Sequence, residues 1–342
     1  MSAPQTTFVC DAGIVRGVGH LMRSLALAEE FAARGDRPVI VADVEGMPWA
    51  TAQVVDRGFR LLRRAEGAPG LADEVLALRP DAVVIDSYVI DPAVSAAIRR
   101  AGTPVLAIVD GSDRGQSADL YVDQNLGAED VWIGADCLAG LRYVLLRDAV
   151  RAARPAQPRS DGDVAVPRVL AYFGGTDPVG AAPVCARALA STREPFDATF
   201  VAATPEHAAT IDAVPRLDGQ RITVTGPIDD LPARAAAADL VLCAAGTSVW
   251  EMMAVGAATA VTWVADNQAV GYAGAVASGA VAGLGHIADL RRAPQAATAV
   301  IATLLRDPAA RAGLRSTGWS LVDGHGRGRV ADALGALVGR PR

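Results

Sequence analysis

The chain has 342 residues, and its 32 basic residues, all arginine, are outnumbered by 38 acidic ones to give a net charge of −6 at pH 7. The lack of lysine excludes a Walker-type phosphate site and any lysine Schiff base, and the acidic balance argues against a nucleic-acid partner. At 51% hydrophobic residues the length suits two domains of ordinary size, without an apolar run of membrane-spanning length or a secretory leader pattern, so a cytoplasmic protein with no membrane insertion is expected.

Short β-branched runs alternate with alanine-rich helical patterns from end to end, the pattern of parallel sheets covered by helices. In the first half, strands are expected over 8–10, 38–42, 82–85, 105–109 and 120–122, with helices over 20–33, 48–57, 70–78 and 93–101. These form one Rossmann-like domain over 1–150. The stretch 151–167 carries three prolines and polar filler and reads as a linker. Within it, Asp161-Gly-Asp163 reads as solvated loop rather than as a metal site. The alternation then restarts, with strands over 168–172, 197–201, 221–224, 240–243 and 259–263. Helices are expected over 179–190, 230–237, 248–255, 268–278 and 294–305, which makes 168–325 a second Rossmann-like domain. A last helical pattern over 329–338, in the segment 326–342, is placed to pack back on the first domain.

The four cysteines and four histidines are scattered. None has the spacing of a disulfide framework or a ligand set, so neither a metal nor a cofactor is implied. His20 stands out. The stretch Asp11-Ala-Gly-Ile-Val-Arg-Gly-Val-Gly-His-Leu-Met-Arg23 puts it at a helix start behind Gly17 and Gly19. There it lies beside free backbone N–H groups and the positive end of a helix dipole, a setting that suits a general base facing an anionic ligand. The same residues also serve as a tight turn followed by an ordinary first helical turn.

Ligands of open parallel sheets sit at the carboxyl ends of strands, and the polar and glycine-rich residues of this chain collect there. Phe173-Gly-Gly-Thr-Asp-Pro178 supplies Gly174, Gly175 and Thr176 after one strand of the second domain. Ala244-Ala-Gly-Thr-Ser-Val-Trp-Glu251 supplies Gly246, Thr247, Ser248 and Glu251 after another. Two helix N-termini directed into one crevice would bind a pyrophosphate without lysine. Glu251 has two readings, a capping-box partner of Ser248 or an acceptor for two ribose hydroxyls. Asp266-Asn267-Gln268 and Asp86-Ser87-Tyr88 complete the set, and a common cleft accounts for all of them better than separate caps do.

Together these residues resemble the nucleotide-sugar hydrolases that release UDP from UDP-2,4-diacetamido-2,4,6-trideoxy-β-L-altropyranose in pseudaminic acid synthesis, and their spore-coat polysaccharide relatives. The blocks run from Asp11 to Gly285: Gly19-His20-x-Met22-Arg23, Asp86-Ser-Tyr88, Asp123-Gln-Asn125, Tyr143 with Leu146-Arg147, Phe173 to Pro178, Gly246 with Trp250-Glu251, and Asn267-Gln268. The resemblance implies a GT-B fold, shared with the lipid II N-acetylglucosaminyltransferase, with two Rossmann-like domains facing each other across a cleft. It implies that the second domain holds UDP and the first, catalytic one faces the sugar.

By the same resemblance His20 positions or activates water for inverting attack at the anomeric carbon without a metal, and Tyr88 and Asn267 line the sugar pocket; Asp11 and Tyr88 are taken with His20 as the catalytic candidates. Gly17, Gly19, Arg23, Asn267 and Gln268 would contact the substrate. Glu251 would hold the ribose, and Thr247 with Ser248 the phosphates. Three positions depart from the family pattern, Val9, Gly111 and Gln116, all in the sugar-facing domain. A UDP-sugar hydrolase is therefore the first expectation, with a CDP-sugar as the less favoured substrate. A GT-B glycosyltransferase using the same donor is the alternative, and a non-catalytic nucleotide-sugar sensor is the third.

Overall fold

The computed structural model describes residues 3–13, 18–63, 70–133, 136–160, 162 and 164–339. It divides into two compact units, 1–148 with 324–342, and 149–323. The expected Gly17 contact and the Asp161/Asp163 pair lie outside the described residues.

The first unit is built on a seven-stranded sheet of β1 (Thr6–Cys10), β2 (Val39–Ala42), β3 (Arg60–Arg63), β4 (Ala82–Asp86), β5 (Val105–Ile108), β6 (Leu120–Asp123) and β7 (Cys137–Ala139). Its order is β3-β2-β1-β4-β5-β6-β7 and every pairing is parallel. The order reverses between β1 and β4, and at such a switch point the loops leaving the two strands diverge and open a crevice. The central strands are buried on both faces, as a sheet covered by helices requires. Phe8 and Ile40 share a core with Leu21 and Leu25 of the helix Gly19–Ala33, and with Val330 and Leu334 of the helix Gly326–Val338.

The terminal helix thus packs on the helix that carries His20. Its start fits only because Gly326 has no side chain: a Cβ there would lie 2.3 Å from the Val144 carbonyl oxygen. An ion cluster around the buried Arg327 fastens the same place. Arg327 donates to Glu29 and Glu30 at 3.0 Å each and to Asp148 at 2.5 Å.

The second unit has a six-stranded sheet of β8 (Arg168–Tyr172), β9 (Phe196–Val201), β10 (Gln220–Thr225), β11 (Leu240–Ala244), β12 (Thr259–Trp263) and β13 (Ala282–His286). The order is β10-β9-β8-β11-β12-β13, again wholly parallel, with its switch point between β8 and β11. The segment expected as a linker is strapped onto this unit. Arg154 donates to the carbonyls of Ala254 and Trp319 and stacks on the Trp319 ring, while Arg159 pairs with Asp239 at 2.5 Å.

Several elements escape the sequence pattern. The strands β3, β7 and β13 and the helices Pro205–Asp212, Ile287–Arg292 and Pro308–Leu321 have no counterpart among the expected ones. No helix among the described residues is long and apolar enough to cross a membrane.

Candidate active site

At the switch point of the first sheet, β1 ends beside Asp11 and β4 ends in Asp86. The helix Gly19–Ala33 starts at the same edge, with Val18 at its N-cap and no side chain capping it. This brings His20 against Asp86, a residue 66 positions away: the imidazole Nδ1 is 2.6 Å from Asp86 Oδ1. Arg23, one turn along the helix, donates Nε to Asp86 Oδ2 at 2.6 Å and Nη2 to Asp86 Oδ1 at 2.7 Å. The same guanidinium reaches Asp110, beyond the end of β5, with two bonds of 2.9 Å.

The tautomer of His20 follows from its neighbours. Nδ1 also lies 3.1 Å from Arg23 Nη2, but guanidinium nitrogens only donate and a carboxylate only accepts, so the ring N–H on Nδ1 goes to Asp86. Nε2 is left with its lone pair. The ring keeps 11% of its side chain accessible, whereas Asp86 is fully buried.

Burial works against ionisation of Asp86, but the charge of Arg23 and hydrogen bonds from Arg23 and His20 hold its carboxyl below the usual range, and protonation of His20 adds to the effect. Asp110 is held low as well. Burial again opposes the charge and is outweighed by Arg23 and by hydrogen bonds from Arg23, Tyr88 and Asn125. Tyr88 O–H donates to Asp110 at 2.6 Å and Asn125 Nδ2 does so at 2.7 Å. The Tyr88 ring stands edge to face with His20, centre to centre 4.4 Å. One connected network therefore fixes the imidazole on two sides.

Two of the expected site residues are engaged within the protein itself. Asp11, expected among the catalytic groups, is buried, and its two oxygens accept from Ser87 O–H at 2.7 Å and Tyr88 N–H at 2.8 Å. It shapes the turn that presents Tyr88. Arg23, expected to contact substrate, is 4% exposed and divided between two carboxylates, so it orients Asp86. Gly19 opens the helix. Asp86 was expected at the site only as part of its strand-end motif and Asp110 not at all, because only the strand order brings Asp86 to His20 and Asp110 to Arg23. The strand-end Asp86-Ser87-Tyr88 motif was the one available signal.

The second unit's switch point carries the two glycine-bearing loops. Gly174, with φ of 93°, is in the left-handed region that favours glycine; Gly175 is exposed and Thr176 half-buried. The helix that follows, Ala181–Ala190, does not offer its free amides to a ligand as expected. Asp177 is buried and accepts from Ala181 N–H at 2.7 Å and Ala182 N–H at 2.9 Å, so the protein's own carboxylate occupies the positive end of that helix.

Beyond β11, Thr247 occupies the N-cap of the helix Ser248–Ala254 without a side-chain capping bond. Gly246, Thr247, Ser248 and Glu251 are all partly accessible, and Ser248 is the first helical residue rather than the cap that a Ser248–Glu251 box requires. Gln268, in the turn Asp266–Gln268, accepts from Val264 N–H through Oε1 at 2.9 Å. Its Nε2 lies 3.9 Å from the place a Gly246 side chain would occupy. Asn267 is exposed.

No protein-family model and no curated protein sequence matches the chain. Solved structures do. MurG of Acinetobacter baumannii is similar over 97% of this chain and 100% of its own, with a TM-score of 0.71 at 17% identity. The spinosyn rhamnosyltransferase SpnG is similar over 96% and 99%, with a TM-score of 0.67 at 18% identity. The UDP-bound MnaA of S. aureus is similar over 98% and 97%, with a TM-score of 0.64 at 12% identity. Identities this low establish a shared architecture, and that architecture is GT-B, two Rossmann-like α/β units in one chain.

Proposed function

We propose that the protein is an enzyme of nucleotide-sugar chemistry that transfers the sugar from a UDP-linked donor to a hydroxyl acceptor, with His20 as general base. The observation that carries this is the His20–Asp86 pair at the switch point of the first sheet. His20 Nε2 takes the proton of the attacking hydroxyl as its oxygen bonds to the anomeric carbon. The bond from that carbon to the phosphate oxygen breaks, and the nucleoside diphosphate leaves with the electron pair, inverting the centre. Asp86 stabilises the imidazolium that forms and holds its tautomer, as the buried carboxylate of a catalytic triad does. Arg23, Asp110 and Asp11 act through these two groups as positioning residues.

The remaining roles belong to this reading. On the first unit Tyr88 contacts the sugar; on the second, Asn267 and Gln268 contact the donor and Glu251 accepts from the ribose hydroxyls. The diphosphate is held by Thr247, Ser248 and the main chain at Gly174, Gly175, Thr176 and Gly246, without the amides of Ala181 and Ala182. Similarity of fold to a rhamnosyltransferase and to a UDP-bound protein supports transfer and a nucleotide donor.

Hydrolysis is the second reading. It is favoured by one observation: His20, Arg23, Asp86, Tyr88, Asp123 and Asn125, from three of the hydrolase-like blocks of the first unit, meet in one hydrogen-bonded network. Incubation with a panel of UDP- and CDP-linked amino-deoxy sugars, with and without alcohol acceptors, separates the two. Acceptor-dependent UDP release with a new glycoside is the expected result. Release matched by free reducing sugar without acceptor establishes hydrolysis. Ligand-induced stabilisation with no nucleotide release from any donor would refute both.

A further inference from the structure

The loop 110–116 after β5 brings a second arginine to the His20 centre. Arg114 lays its guanidinium carbon 4.2 Å from the centre of the Tyr88 ring, the same ring whose centre is 4.4 Å from that of His20. Arg23 is spent on Asp86 and Asp110. Arg114 is exposed and, among the described residues, forms no ion pair. The surrounding carboxylates are engaged elsewhere: Asp110 with Arg23, Tyr88 and Asn125, Asp11 with Ser87 and the Tyr88 amide. Asp123 accepts from Gly111 N–H and Trp132, and Asp113 from Gly115 N–H.

The backbone of Arg114 is unusual as well. Among the described residues it is one of four non-glycine residues in the left-handed region, with φ of 50°. Arg79 and Arg193 follow closely on the helices that end at Ala77 and Ala190, where such a conformation is common, and Asp177 caps a helix. Arg114 closes no helix; with Gly115 it forms the centre of a β-turn closed by Gln116 N–H donating to the Asp113 carbonyl at 2.8 Å, a turn whose two central residues both take positive φ. Arg114 holds a conformation that glycine takes freely, between Gly111 and Gly115, which adopt it too. Such a turn accepts glycine or asparagine more readily than arginine at that position, and an arginine kept there, with its guanidinium over Tyr88 beside His20, points to a use for its side chain.

We infer that Arg114 binds an anionic group, a carboxylate or a phosphate, on the molecule that reacts at His20. The inference rests on the reading of His20 as the reacting centre. A guanidinium fork matches two oxygens of such a group, and its seat over the Tyr88 ring holds it in place without neutralising it. The anion has two possible sources, the donor's diphosphate or a charged group of the acceptor.

Binding to the full chain tests this independently of turnover. Glycerol 3-phosphate, with glycerol as its uncharged control, and UDP, with uridine as its control, are titrated while the NMR signals of the His20 and Tyr88 rings are followed. Arg114→Gly relieves the backbone, so its melting temperature holds or rises while the charge is lost; Arg114→Lys keeps the charge. The expected result is about tenfold weaker binding of one anion by Arg114→Gly, substantially recovered in Arg114→Lys, with the uncharged controls unmoved. Weakened glycerol 3-phosphate assigns the anion to the acceptor, and weakened UDP assigns it to the leaving diphosphate. Equal binding of both anions by the native chain and Arg114→Gly overturns the inference, as does a native chain that responds to neither. Normal turnover in His20→Ala would instead overturn the reacting-centre reading and leave the binding result standing.

Discussion

The two switch points of this molecule are furnished in opposite ways. At the first, side chains are bound to one another: a histidine, an arginine, a tyrosine, an asparagine and three aspartates share one network with distances of 2.6–2.9 Å. At the second, the loops are glycine and small hydroxyl residues, and a φ of 93° at Gly174 lets the main chain itself approach a ligand. The first arrangement fixes the direction of one lone pair. The second leaves the start of the helix Ser248–Ala254 without a side-chain cap. Substitutions in the first unit are therefore expected to damage turnover and folding together, and those in the second to weaken ligand binding while leaving the fold intact.

The largest expected effect is on His20. His20→Ala should lower turnover by about 10² to 10⁴, the range for loss of a general base. Asp86→Asn comes next, with a fall of about 10² in turnover, the low end of the general-base range, because an amide partner no longer dictates the tautomer or stabilises the imidazolium. The same change leaves Arg23 short of a buried partner and should cost about 3 kcal/mol of stability, measured by urea unfolding. In the second unit, Glu251→Ala should weaken UDP about tenfold by calorimetry with a melting temperature close to native, since a ribose-binding carboxylate forms charge-assisted hydrogen bonds with its ligand. Equal losses of stability in Asp86→Asn and Glu251→Ala would erase the contrast between the two regions.

The smallest effect concerns acid. The Asp86 and Asp110 carboxyls lie below the usual range in the folded protein, so their contribution to stability is fully present above their unfolded values, near pH 4, and is lost as pH falls through the folded ones. Unfolding free energy should therefore lose this contribution only below about pH 4. Asp110→Asn should lower stability at neutrality and make the acid limb shallower. An unchanged acid limb in that variant would show that the network does not carry the linkage.

The parts that were legible in the sequence are those whose signal is local. Central strands such as β4 and β11 are continuous apolar runs, and His20, Tyr88 and the two glycine loops announce themselves by position. The strand β3 is a short edge with only Leu61 and Leu62 as apolar residues, and β13 is interrupted by Gly283 and Gly285. The helix Pro308–Leu321 buries Arg311, Arg315 and Gly318, a helical spacing that apolar periodicity cannot detect because arginines fill it. Arg315 satisfies itself there on the carbonyls of Gly256, Ala238 and Asp239.

The same distinction holds for the site. Asp86 was visible as a strand-end polar residue, but its partnership with His20 depends on β1 and β4 being neighbours, which sequence order alone does not give. Asp177 lies in an anion-binding pattern and turns out to be the anion.

The central claim is that the imidazole, aimed by a buried carboxylate, performs proton transfer and does not grip the nucleotide. Measuring turnover and UDP affinity side by side in native protein and His20→Ala tests it most directly. The account predicts a loss of at least about a hundredfold in kcat with UDP binding essentially unchanged. Normal turnover in the variant, or a loss confined to UDP affinity, would contradict it.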